Sequence, residues 1–263
     1  MYLKPEKIKE RYMAMINEFL PYAVIKKKEI KNFIFKNSHE KISVSKGFEW
    51  DSKDFPVYFV TEIKAEIPEE YETVYLEIWT GGESLVIIDD FPYGEINPFH
   101  RDIDITKYAD SSFHTVELQT VPKKLFGEHQ NHPCISYADI VYKDKYILKA
   151  YEMFRAAIEI MAATSDEALS QEIKNQLDKS ISEIHIPRNT ADYFSATHDN
   201  ISLFSRVTGI WNPEKFKENR GLILSNEDRE SILYSAGNLD KFMKKITSEY
   251  PKKGKVNLIG HAH

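Results

Sequence analysis

Val57-Tyr-Phe-Val-Thr-Glu-Ile-Lys-Ala-Glu-Ile67, the connection Pro68-Glu-Glu-Tyr71, and then Thr73-Val-Tyr-Leu-Glu-Ile-Trp-Thr80 alternate or run apolar along their length. A period of two means strand, because successive side chains of an extended chain point to opposite faces. His114-Thr-Val-Glu-Leu-Gln-Thr-Val121 and Cys134-Ile-Ser-Tyr-Ala-Asp-Ile-Val-Tyr142 show the same pattern, and turn residues separate the runs. Several strands with no helix between them predict an antiparallel β-sandwich over residues 29–143.

On either side the period changes to that of a helix. Ile8, Tyr12, Met15, Ile16 and Phe19 form an apolar stripe, with Pro5 suited to a first turn, so residues 1–28 are expected to hold an amino-terminal helix. After Lys143, Ile147, Tyr151, Phe154, Ile158 and Met161 make a second stripe. Thr164-Ser-Asp-Glu167 has the form of a capping box opening a third, which carries Leu169, Ile173, Leu177, Ile181 and Ile184 and ends by Pro187. A fourth stripe, Ile232, Ala236, Leu239, Met243 and Ile246, follows Ser225 as N-cap and stops before Pro251. The expected fold class is α+β: an antiparallel β-sandwich (29–143) with an amino-terminal helix (1–28) and a carboxy-terminal helical connector (144–250). Residues 251–263 then read as the first strand of another domain. The stretch from Arg188 to Asn212 gives no clear pattern.

With 263 residues and 42% hydrophobic content, one large or two modest domains are both accommodated. The net charge of −6, with acids and bases interspersed, offers no field for nucleic acid or an anionic membrane surface. Cys134 is the single cysteine, so no intrachain disulfide forms. Charged residues crowd the first twenty positions and no segment has the length of a membrane span, which together predict a cytoplasmic protein that engages neither membrane nor nucleic acid.

The candidates for chemistry are few. His129 and His132 lie in a polar loop closed by Pro133 and read as solvated. His100, His114, His185 and His198 read as structural or exposed. Asp89-Asp90 and Asp102-x-Asp104 are the tempting carboxylate pairs for a glycosidase, which needs two acids flanking the scissile bond. The first serves turn geometry and the second a solvated strand face, so no residue is assigned a catalytic role. Trp50, Trp79 and Tyr93 are candidate platforms for sugar rings, although core packing accounts for Trp79 better. The sequon Asn200-Ile-Ser202 is expected to be inert.

The last nine residues, Lys255-Val-Asn-Leu-Ile-Gly-His-Ala-His263, place an apolar run before Gly260 and two histidines, as at the carboxyl edge of a buried strand where ligands gather in α/β architectures. Two histidines do not fix a catalytic metal, because such sites take three protein ligands and keep one position open. This segment resembles the opening of the catalytic domain of class II α-mannosidases, glycoside hydrolase family 38, with its Gly-His-(Ala/Ser)-His-x-Asp. By that resemblance His263 matches a zinc ligand and His261 the histidine beside it. The partner Asp, the nucleophile and the remaining ligands have no counterpart.

A second stretch carries the same resemblance: Trp79-Thr-Gly-Gly-Glu-Ser-Leu-Val-Ile-Ile-Asp-Asp-Phe-Pro-Tyr-Gly-Glu-Ile-Asn-Pro-Phe-His-Arg101. It is similar to the sandwich that precedes the catalytic barrel in those enzymes, where Gly-Gly-Glu-(Ala/Ser) starts a strand, an Asp-Gly turn follows, and His-Arg opens the next strand. Asp90 stands where that pattern has Gly, and Asp tolerates left-handed backbone. The resemblance implies the amino-terminal, non-catalytic part of a zinc-dependent retaining α-mannosidase. The intact enzyme would cleave terminal α-mannosides, and residues 1–263 would be inactive and hold no zinc tightly. The alternative is a stand-alone carbohydrate-binding or scaffold module. Homo-oligomers occur among such enzymes, and the amino-terminal helix is the candidate interface.

Overall fold

The computed structural model describes residues 5–98, 100–123, 127–186 and 224–249. The fold is α+β, with two antiparallel sheets forming a β-sandwich and helices on both sides of it in the chain. The chain divides into two compact units, Ala23–Lys145 and Met1–Tyr22 with Tyr146–His263.

The first unit holds β1 (Val24–Glu29), β2 (Phe33–Lys36), β3 (Lys41–Val44), β4 (Val57–Ile63), β5 (Glu72–Trp79), β6 (Glu83–Ile88), β7 (Phe91–Ile96), β8 (Asp102–Asp104), β9 (His114–Val121) and β10 (Tyr137–Asp144). They pair in the order β1-β10-β5-β8 in a four-stranded sheet and β3-β2-β4-β9-β6-β7 in a six-stranded one. Alternation sorts the side chains: Phe33, Phe35, Val57, Phe59, Val116 and Leu118 of one sheet join Val74, Leu76, Ile78 and Ile140 of the other in a single buried cluster. Strand β1, all but Glu29, falls within the stretch 1–28 expected to hold the amino-terminal helix. Its sequence, Val-Ile-Lys-Lys-Lys-Glu, is exposed along nearly all its length and has no apolar alternation to read. Lysines of this kind suit an edge strand, because they discourage pairing with another chain.

The chain crosses from the four-stranded to the six-stranded sheet through Thr80-Gly81-Gly82, between β5 and β6. Both glycines are dictated by space. A Cβ on Gly81, whose φ is +98°, would sit 2.3 Å from the Cys134 amide nitrogen, and one on Gly82 would sit 2.0 Å from the Val121 carbonyl oxygen. The Trp50 indole N–H donates to the Thr80 carbonyl at 2.8 Å and closes the crossing from the core side. The hydroxyls of Thr80, Ser84 and Thr120 form a buried triangle with separations of 3.2, 3.2 and 2.8 Å, so each satisfies the others.

Asp89 and Asp90 make the two-residue turn between β6 and β7, with φ of 50° and 66°. Positive φ at both positions is the type I′ geometry whose twist matches a hairpin. Glu83 starts β6, Asp89-Asp90 make the turn into β7, and His100-Arg101 precede β8.

In the second unit, α1 (Pro5–Asn17) buries Tyr12 and Ile16, α2 (Lys145–Ala163) buries Ile147, Phe154, Ile158 and Met161, and α3 (Glu167–Ser182) buries Ile173, Leu177 and Ile181. Helix α4 (Asn226–Glu249) buries Ile232, Ala236, Leu239 and Ile246. Phe19 meets Tyr151 and Phe154 edge-on at 6.2 and 6.1 Å, the Tyr12 hydroxyl donates to Asp178 at 2.5 Å, and the Ser235 hydroxyl donates to the Ser180 carbonyl. Burial and the neighbouring Asp178 push the Tyr12 hydroxyl well above the ordinary tyrosine range. Ser225 caps α4 as expected, accepting from the Asp228 N–H at 3.0 Å. The cap of α3 is Asp166, which accepts from Leu169 N–H, rather than Thr164 at the head of the expected capping box. A carboxylate two residues closer to the helix has the better reach.

Gly82→Ala should cost about 2–3 kcal/mol, because the obstructing atom is backbone and cannot rotate away. Asp90→Gly should hold or raise stability by up to about 1 kcal/mol, since Gly removes the left-handed penalty at the turn. Urea midpoints of the two variants check both, and an unchanged midpoint for Gly82→Ala contradicts the close-approach account.

Candidate functional site

The outward face of the four-stranded sheet concentrates the aromatic and charged groups of the sandwich. Register places Trp79 opposite Tyr137, Glu77 opposite both Asp139 and Asp102, and Glu29 opposite Asp139. Four carboxylates, Glu29, Asp139, Glu77 and Asp102, thus form one row across four strands.

Two lysines neutralise half of that row. Lys143 Nζ lies 2.8 Å from Glu77 Oε1 and 2.7 Å from Asp102 Oδ2, and Lys27 Nζ lies 3.0 Å from Glu77 Oε2. The Lys143 ammonium also stands 4.4 Å from the Tyr75 ring centroid. Burial pushes Glu77 up, but Lys143 and Lys27 outweigh it and hold the carboxyl below its usual range. Burial pushes Lys143 down, and Glu77 and Asp102 outweigh that in turn, so the ammonium is held above its usual range. Asp139 differs. Among the described residues its carboxylate makes no hydrogen bond or ion pair, and burial raises it despite the field of Lys27.

At the other end of this face the Arg101 guanidinium lies 5.0 Å from the Trp79 ring centroid, and burial raises the Tyr137 hydroxyl. The arrangement offers a partly exposed aromatic pair, a cation beside one of the rings, and one carboxylate with no partner among the described residues that can accept hydrogen bonds.

The sequence candidates fall in several places. Trp50 is buried in the core, 6% exposed, and is closed to any ligand, whereas Trp79 is only partly buried and packs against the edge of the same core cluster, as the sequence favours. Tyr93 is held by its hydroxyl bond to the Asp104 carbonyl at 2.6 Å and by Tyr108, 5.3 Å away edge-on. Asp102 is tied to Lys143 rather than merely solvated, and Asp104 accepts from the Thr106 N–H at 2.8 Å. His100, His129, His132 and His185 are exposed. His114 is not: its ring sits between Asp89 and Asp110. His198, the sequon at Asn200, His261 and the proposed ligand His263 lie outside the described residues, as does the whole of 251–263. Among the described residues no three His, Cys, Asp or Glu side chains are arranged to hold a metal ion, and no helix is long and apolar enough to cross a membrane.

Lys143, Glu77, Asp139 and Tyr137 were not legible as a group. Each occupies the polar phase of an alternating strand, and only the register between strands far apart in sequence brings them together.

No protein-family profile matches the chain, and no curated protein matches it. Solved structures similar to it include an FMN-binding β-glucuronidase from Faecalibacterium prausnitzii L2-6, at 8% identity and a TM-score of 0.37, with 44% of this chain and 22% of that one covered. A β-D-glucuronidase of Dictyoglomus thermophilum is 11% identical with a TM-score of 0.32, covering 46% and 28%. A GH2 β-galacturonidase from Eisenbergiella tayi bound to galacturonate is 14% identical with a TM-score of 0.32, covering 46% and 24%. All three are glycoside hydrolases, and the chain spans less than a third of the length of each.

Lys143→Met should destabilise the sandwich by about 3 kcal/mol, since it leaves Asp102 without its cation and Glu77 with Lys27 alone. Adding Glu77→Leu should recover part of that loss. Because Glu77 is depressed in the folded state, its contribution is present above about pH 4.5 and is lost as the pH falls through the lower folded value. Denaturant melts of single and double variants from pH 3 to 7 check this, and equal stability of Lys143→Met and the parent contradicts it.

Proposed function

We propose that this chain is the non-catalytic amino-terminal part of an α-mannosidase-type glycoside hydrolase, acting as a scaffold in a soluble, cytoplasmic enzyme. The observation that carries the reading is the use to which the motif residues are put. Gly81 and Gly82 permit a backbone approach, Asp89 and Asp90 make the turn, and Arg101 covers Trp79. Each is committed to architecture, and none is left free for acid or nucleophilic work.

On this reading the intact enzyme hydrolyses terminal α-mannosides with retention, through acids supplied by its catalytic domain. His263 would be one of its zinc ligands, and zinc, when bound, supplies a hold on vicinal sugar hydroxyls. A polypeptide continuing past His263 through the catalytic domain should hydrolyse nitrophenyl α-mannoside, lose activity on chelation, regain it with zinc, and be inactive as His263→Ala. Turnover by folded residues 1–263 alone contradicts the assignment.

The outward sheet face favours one second reading, a carbohydrate-binding module. Trp79 and Tyr137 are direct cross-strand neighbours, and the uncommitted Asp139 is two residues along from Tyr137 on the same face. Saturable quenching of tryptophan fluorescence by a mannoside, abolished in Asp139→Asn, supports this reading, whereas no response at millimolar sugar rejects it.

A further inference from the structure

His114 lies where three segments meet: the β6–β7 turn, the loop from Ala109 to Phe113, and the start of β9. Its Nδ1 is 2.6 Å from Asp89 Oδ2 and its Nε2 is 3.1 Å from Asp110 Oδ1. Both partners are carboxylates, which only accept hydrogen bonds. A neutral imidazole carries one N–H and can serve one of them; two such contacts need the imidazolium.

The two arms are unequal. Asp89 is also fixed by the Thr115 N–H, which donates to its other oxygen at 2.9 Å, and it belongs to the turn. Asp110 receives the Ser112 N–H at 2.8 Å on the same Oδ1 that faces the imidazole. Between Asp110 and His114 the chain carries Ser111 at a φ of 67°, a left-handed conformation that costs a residue with a Cβ roughly 1 kcal/mol. The clamp opposes that strain, together with the Ser111 N–H donated to the Ala65 carbonyl at 2.9 Å.

The other groups facing the ring do not replace a carboxylate. Tyr108 packs edge-on at 5.1 Å, and the Lys107 ammonium lies over Tyr108 and Tyr93 at 4.8 and 4.3 Å. On β4, Ile63 is opposite His114, flanked by Glu62 and by Lys64, whose ammonium lies 5.2 Å from the Phe113 ring. Phe113 itself is 67% exposed.

We infer that His114 is a proton-operated clamp: as imidazolium it ties the 109–113 loop to the β6–β7 turn, and on losing its Nε2 proton to solvent it keeps Asp89 and releases Asp110. Release loosens the loop that presents Phe113. The hydrogen bonds that His114 donates to Asp89 and Asp110 outweigh the cost of burial and raise His114 above its ordinary value; the His114 bond lowers Asp89, and the Ser112 N–H followed by the His114 bond lowers Asp110. The sign follows: the clamp is fully closed below about pH 6.5 and opens as the pH rises through the raised folded value.

The test is an NMR titration of residues 1–263 from pH 5 to 9, following the His114 ring proton and the amides of Ser111, Ser112 and Phe113. The His114 midpoint should lie above the ordinary imidazole value of about 6.5, the three amides should shift with that same midpoint, and Asp110→Asn should lower it. Asp110 is exposed, so this variant is expected to fold, and the amide spectrum shows whether it has. A midpoint at or below the ordinary value, amides that do not follow it, or no effect of Asp110→Asn each overturns the proposal.

Discussion

The sandwich depends on one steric constraint, the passage of Thr80-Gly81-Gly82 between two backbone segments with no room for a side chain. On one side stand Pro133 and Cys134, leading into β10 of the four-stranded sheet; on the other stand Val121 and Pro122, leaving β9 of the six-stranded sheet. The crossing therefore touches both sheets where the chain passes from one to the other. The Trp50 indole bond to Thr80 and the buried Thr80–Ser84–Thr120 hydroxyls satisfy the polar groups that such a passage leaves out of regular pairing. Register in β5 and β6 follows, and with it the arrangement of the outward face.

That face shows how electrostatics and packing share one surface. Lys143 and Lys27 neutralise Glu77 and Asp102 in a network that spans all four strands, so these charges are satisfied internally. Asp139, one strand away from Glu77, is left outside the network, and it stands near the aromatic pair Trp79 and Tyr137. The face thus combines paired charges, partly exposed rings and one carboxylate with no partner among the described residues.

Much of the fold was legible because burial on one face writes itself into the sequence. The runs 57–63, 72–79 and 114–121 are strands with clear alternation, and the helical stripes bury the residues that their spacing selects. Strand β1 escaped because it is exposed on both faces and has no apolar phase. Trp50 and Trp79 both meet the core cluster, Trp50 fully buried within it and Trp79 partly buried against it, and only register and phase separate the two. The site was less legible still. His114 reads from sequence as structural or exposed, and its partners, which lie 25 residues before it and 4 before it, give no local pattern that joins all three. Glu77, Asp102, Asp139 and Lys143 are likewise assembled by pairing between distant strands.

The account makes the crossing the keystone of the sandwich, so its hydrogen bonds should open only when the whole unit opens. Native-state hydrogen exchange at the Trp50 indole N–H and the Ser136 amide, which donate to the carbonyls of Thr80 and Trp79, measures this directly. The predicted result is exchange with the same free energy and the same denaturant dependence as global unfolding of the sandwich. Exchange through a small, denaturant-independent local opening, while the amides of β4 and β9 stay protected, would contradict it.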